Sequence, residues 1–131
     1  MHKYKDAILS VVTGLGYHLV GQKREKSMFE SESPVMTPWG KAQQVDRIEK
    51  GIEFVSTASH GGIWLSNARM AQMPKEVIAE KFAPDNWWEE DCDQIMVVLR
   101  FPLDFSNAVN RNKLSMLAKR YFPKSHHLLD K

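Results

Sequence analysis

Apolar residues recur along the chain at two spacings, and the switches between them mark out the elements. Tyr4, Ala7, Ile8, Val11 and Val12 stand three and four residues apart, the spacing of one helix face. Gly14 and Gly16 supply a stop, so a helix is expected over 3–13. A short strand is expected over 17–21, then a polar, charged arm from Gln22 to Ser33. Pro34 and Pro38 disfavour helix in the residues before them. Residues 43–49 and 52–57 read as strands joined at the turn signal Lys50-Gly51, and 62–66 as a further strand. Ser66 suits the N-cap of a helical turn through Met70, and Pro74 opens a helix through Lys81.

The stretch 86–100 carries both signals. Trp88, Cys92, Ile95, Met96 and Leu99 make a helical stripe, and the acids of its first turns complement the helix dipole. The β-branched pair Val97-Val98 favours strand instead. Helix is the expectation, with strand the alternative. Residues 111–121 read as a basic helix with Leu114, Leu117, Ala118 and Tyr121 inward. Pro123 closes it, and the tail Lys124 to Lys131 is expected to fray. Together these elements predict an α+β fold, a small, mainly antiparallel sheet with helices packed on one face.

Length changes the picture little: 131 residues fit a single domain over 1–131. An apolar share of 43% and a charged share of 26% point to a globular chain. The one cysteine, Cys92, excludes an internal disulfide framework and favours a reducing, cytoplasmic setting. The longest apolar run, Ile95 to Leu99, is too short to cross a bilayer, and Lys5 and Asp6 interrupt the only candidate leader. No membrane partner is expected. Net charge is only +2, but basic ends flank an acidic middle of Asp85, Glu89, Glu90, Asp91 and Asp93.

Several blocks resemble a known family. They are Thr37-Pro38-Trp39-Gly40-Lys41-Ala42, the run Gly51-Ile52-Glu53-Phe54-Val55-Ser56-Thr57-Ala58-Ser59-His60-Gly61-Gly62 with Leu65-Ser66, then Glu89-Glu90-Asp91-Cys92-Asp93 and Phe101-Pro102. In this order they resemble an uncharacterised small domain family of bacteriophages, plasmids and other mobile elements. The resemblance covers about 35–105. It implies a mobile-element origin and an accessory role, and carries no chemistry with it.

The candidate chemistry gathers at His60. An imidazole can serve as general base or metal ligand near neutral pH. It would need a carboxylate from Glu89, Glu90 or Asp91 to orient it, and the Gly61 and Gly62 amides could hold developing negative charge. Ser59 is a poor nucleophile for His60, because neighbours in an extended strand face opposite ways. The alternative is a histidine whose ring bonds the backbone and shapes the bend. The acidic block could bind a cation or a partner, or simply be a solvated helix turn. Cys92, His60, His126 and His127 lack zinc spacing, and Cys92 falls on the apolar stripe, where a thiol is packing. Gly14-x-Gly16 lacks the third glycine of a dinucleotide loop. No cofactor and no metal are expected.

The function expected is therefore binding rather than catalysis. An accessory protein of a mobile element would bind and inhibit a host protein or nucleoprotein complex, in an anti-defence role such as opposing CRISPR or restriction. Its contact surfaces would be the acidic turn, with Glu89, Glu90, Asp91 and Asp93 and one of Trp87 and Trp88 exposed as anchor, and the basic helix, with Arg111, Lys113, Lys119 and Arg120. The alternative is a small hydrolase or transferase centred on His60 with Ser59, Thr57 and one carboxylate from 89–91, Glu90 being preferred. A third reading is weak nucleic-acid contact through the C-terminal helix.

Overall fold

Four strands pair antiparallel in chain order: β3 (Gln44–Glu49), β4 (Ile52–Ser56), β5 (Gly61–Leu65) and β6 (Trp87–Glu89). Ahead of them, β1 (Met36–Thr37) and β2 (Gly40–Lys41) form a two-stranded hairpin. This computed structural model describes residues 31–105 and 110–130. The helix expected over 3–13, the strand over 17–21 and the arm up to residue 30 lie outside the described residues.

The register places Val45 opposite Val55, Val55 opposite Gly62, and Ile63 opposite Trp88. Gly51 turns the β3–β4 hairpin at φ +82°, where a side chain would be strained. Ile52, Phe54, Ile63, Leu65 and Trp88 project into the main core. Against them pack α1 (Asn67–Met70) through Met70, α2 (Lys75–Glu80) through Val77, α3 (Gln94–Arg100) along its length and α4 (Arg111–Tyr121) through Leu114 and Ala118. On the opposite face Val55 and Trp87 meet Trp39, Ala42, Val45 and Trp64. Trp39 and Trp87 contact edge to face, with centroids 5.6 Å apart. The fold is α+β with its helices on one face of an antiparallel sheet.

Both sheet faces are covered, which explains why β4 shows no clean alternation. Glu53 shares the second face and is fully buried. Its carboxylate accepts hydrogen bonds from the Ser31 hydroxyl (3.0 Å), the Glu32 amide (2.9 Å), and the amide and hydroxyl of Ser33 (3.2 and 2.8 Å). The Arg47 guanidinium lies 3.7 Å away. One buried carboxylate thus fastens the incoming chain to the sheet.

The structure corrects the reading of 86–100. This stretch is not one helix: β6 occupies Trp87–Glu89, a turn follows, and helix begins at Gln94. The adjacent tryptophans go to opposite sheet faces, as neighbours in a strand must. Val97 and Val98, which favoured strand, lie inside α3. Every residue from Gln94 to Leu99 is buried, so this helix has no polar face for periodicity to reveal.

The C-terminal tail is a second correction. It closes in a 3₁₀ turn over His126–Leu128. The Glu80 carboxylate accepts from the amides of Lys124 and Ser125 (3.0 and 2.9 Å) and the Ser125 hydroxyl (2.6 Å). Burial raises the Glu80 pKa, but these bonds and the Lys124 charge outweigh it and hold the carboxyl below its ordinary value. Asp130 accepts from the Ser115 hydroxyl at 2.8 Å, tying the end of the described chain to α4. Among the described residues no helix is long and apolar enough to cross a membrane.

Candidate functional site

The β4–β5 connection bends at residues 57–60, and Thr57 holds the bend. Its hydroxyl donates to the His60 carbonyl (2.7 Å) and accepts from the His60 amide (3.2 Å) and the Ser59 amide (3.4 Å). Its own amide donates to the same carbonyl at 2.8 Å. The bend-shaping role expected of the His60 ring therefore belongs to Thr57, a buried hydroxyl three residues earlier. The imidazole stands 38% exposed, with Nδ1 3.8 Å from the Glu90 Oε1. That is ion-pair range for a protonated ring and too long for a hydrogen bond. Thr57→Ala should cost about 1–2 kcal/mol in urea denaturation, whereas His60→Ala should change stability by less than about 0.5 kcal/mol. A His60 variant as damaged as the Thr57 variant would return the bend to the ring.

Glu90 is buried and engaged with the strand beside it. Its Oε1 accepts from the Gly61 amide at 3.2 Å, and its amide donates to the Gly61 carbonyl at 3.1 Å. The Gly61 amide is thus directed at a protein carboxylate and not toward an oxyanion. A Cβ on Gly62 would meet the Trp88 carbonyl oxygen well inside contact distance and the Trp39 indole at 2.7 Å. Close approach of neighbouring backbone accounts for this glycine. Of His60, Ser59 and Glu90, the structure brings His60 and Glu90 together. Ser59 sits exposed on the turn, and no hydrogen bond joins it to His60.

The acidic block faces inward, contrary to expectation. Asp93 is fully buried, and its carboxylate accepts from the amides of Phe82 (2.8 Å), Ala83 (2.8 Å) and Glu89 (3.1 Å). Across the same loop the Lys81 ammonium donates to the Trp87 carbonyl (2.7 Å) and the Ala83 carbonyl, and lies 5.0 Å from the centre of the Trp88 ring. Burial lowers the Lys81 pKa, while the Asp93 and Asp85 charges oppose that shift. Burial raises the Glu89 pKa, helped by Asp91 and Asp93 and opposed by the Cys92 thiol and His60. Burial, with Asp93 and Glu89 alongside, pushes the Cys92 thiol far up, so it stays protonated and acts as packing. Trp87 and Trp88 are both buried, at 5% and 0% exposure, and neither can anchor a partner. Glu90 and Asp93 drop out of the contact surface for the same reason, leaving Glu89 and Asp91 half-buried. Sequence reasoning set Thr57 beside His60 but missed that it holds the bend, and it missed Lys81 altogether. A hydroxyl three positions before His60 was the available signal for the first; the second had none. Among the described residues no three His, Cys, Asp or Glu side chains are grouped to hold a metal ion.

The basic helix has the opposite character. Asn110 caps α4 by accepting from the Lys113 amide at 3.1 Å. Leu114 and Ala118 are buried, and Leu117 and Tyr121 are packed against the core as expected. Arg111, Lys113, Lys119 and Arg120 are all exposed, and Met116 is 60% exposed among them.

A family model described as a domain of unknown function, DUF7007, matches residues 32–130. The chain belongs to this family. No curated protein and no solved structure matches it. The DUF7007 match reaches well beyond the blocks at 35–105 that carry the resemblance, and takes in α4 and the docked tail. Within DUF7007, then, the basic helix is part of the domain itself. The inward-facing acidic turn and the Thr57 bend account for the most distinctive blocks by folding, whereas α4 carries four exposed cations and no acid.

Proposed function

We propose that this DUF7007 protein is an accessory protein of a mobile element that acts by binding, and that it inhibits a host protein or nucleoprotein complex, in an anti-defence role such as opposing CRISPR or restriction. The reading takes its mobile-element context from the resemblance of the blocks at 35–105. Its contact face is the outward face of α4. One observation carries this choice: the acidic turn and its tryptophans are engaged internally, while Arg111, Lys113, Lys119 and Arg120 stand exposed and form no ion pair among the described residues. A cationic surface around an exposed methionine is suited to an acidic target.

The alternative of a hydrolase or transferase at His60 draws on the 3.8 Å approach to Glu90 alone. The Glu90 and Gly61 groups that it needs are bonded to each other.

The test is capture from host lysate by the tagged protein, compared with the Lys113→Glu, Lys119→Glu, Arg120→Glu variant. The substituted positions are exposed, so the urea midpoint should stay within about 0.3 M of the parent. A specific partner should be recovered by the parent and lost at least tenfold by the variant. Equal recovery would remove α4 from the interface and this reading with it.

A further inference from the structure

We infer that α4 docks on double-stranded DNA, with its cations on the phosphates and Asn112 and Met116 toward the groove. The inference rests on α4 being the contact face and names the partner's chemistry.

Asn112, Lys113, Met116, Lys119 and Arg120 fall on one helical face, and all five are exposed. From 112 to 120 the face runs about 12 Å at the α-helical rise. Between Asp104 and Asp130 the chain has no acidic residue, but it has Arg111, Lys113, Lys119, Arg120 and Lys124. Lys119 and Arg120 in the last turn suit the helix dipole, but the rest of that distribution does not serve the helix. Acids three or four residues from the lysines would stabilise a solvated helix face, and α4 has none. Arg111 and Lys113 also sit in the first turn, with no acid beside them, where the helix dipole disfavours positive charge. A run of cations with no acid to offset it, two of them set against the helix dipole in the first turn, points to an external polyanion.

Three features favour duplex DNA over other acidic partners. Lysine is depleted in the centres of protein–protein interfaces, and this face is lysine-led; protein–DNA interfaces are strongly positive. The major groove of B-form DNA, about 12 Å wide, admits an α-helix, whereas the narrow major groove of duplex RNA does not. Single strands are held by stacking on exposed aromatic rings. This face offers none, since Tyr121 is partly buried with the Arg120 guanidinium 5.7 Å from its ring. Cations toward both ends of the face, with the Met116 thioether between them and the Asn112 amide beside Lys113, match phosphate positioning around a groove contact.

The experiment is anisotropy with purified protein and a labelled 20-base-pair DNA duplex, between 50 and 200 mM salt. Three phosphate contacts predict a slope of log K against log salt of about −3. Lys113→Gln, Lys119→Gln, Arg120→Gln should weaken binding at least tenfold at low salt and flatten the slope by about 3, with the urea midpoint unchanged. Met116→Ala should weaken binding and leave the slope intact. No duplex binding at low salt, a slope the variant does not change, or tighter binding to single-stranded DNA or duplex RNA of the same sequence would each overturn the inference. A parallel capture from nuclease-treated lysate separates the two readings. If capture persists and depends on α4 while the duplex is not bound, the binding reading stands with a protein partner, and the DNA inference falls. If the charge-reversed protein captures its partner as well as the parent does, the earlier reading falls.

Discussion

Gly62→Ala should unfold most of the sheet's edge. The added methyl would press on the Trp88 carbonyl oxygen, and the Trp39 ring tip would lie 2.7 Å away on the other side. A side chain can swing aside, but the Trp88 carbonyl belongs to the backbone of β6, which is paired to β5 through Ile63–Trp88 and Gly62–Glu89. Relief requires β6 to separate from β5. The cost should be about 3 kcal/mol, at the upper end for overpacking. With a urea slope of about 2 kcal/mol per molar, the midpoint should fall by about 1.5 M. Tryptophan fluorescence reports it directly, because Trp87 and Trp88 are buried in β6 itself. A second variant locates the obstacle. Trp39→Ala combined with Gly62→Ala should be no more stable than Gly62→Ala alone. Full rescue would show that the indole, and not the neighbouring strand, excludes the methyl.

Asp93→Ala should be costlier still. Three amides, from Phe82, Ala83 and Glu89, would lose a charged acceptor in a site closed to solvent. Hydrogen bonds to charged groups contribute about 1.5–3 kcal/mol each, and shared bonds are less than additive, so the expected loss is about 4 kcal/mol. Domains of this size are stable by about 5–15 kcal/mol, so the variant should be close to unfolding at room temperature. Asp93→Asn keeps the shape and one acceptor oxygen while turning a carboxamide NH2 donor toward a backbone N–H donor. It should lose about 2 kcal/mol. Urea midpoints ordered parent, Asn, Ala would support the bonding role. Equal losses for both substitutions would instead assign the effect to charge, through the Lys81 ammonium that shares the loop.

Much of the fold was legible because the signals were local. Lys50-Gly51 needed only a turn, and Ser66 needed only an amide three residues on, which the structure supplies from Arg69 at 3.2 Å. The inward set of α4 followed from spacing, because one face of that helix is solvated. The split of 86–100 was not legible for the converse reason. A helix buried on all sides carries no polar stripe, and Trp87-Trp88 reads as core in either state. The acidic block misled because solvation is the ordinary fate of a charge run. Its actual partners, the Phe82 and Ala83 amides, are backbone groups ten and eleven residues away and leave no mark in composition. The tail was misread similarly, since its anchor Glu80 lies more than forty positions upstream.

The hold of Glu53 on Ser31, Glu32 and Ser33 makes these three residues part of the sheet's packing. The family match opens at residue 32, one position after the first hydroxyl that the carboxylate takes. A boundary drawn from sequence likeness therefore cuts through the knot of hydrogen bonds that surrounds the Glu53 side chain beneath the sheet. A chain trimmed to that boundary would leave the buried carboxylate one donor hydroxyl short.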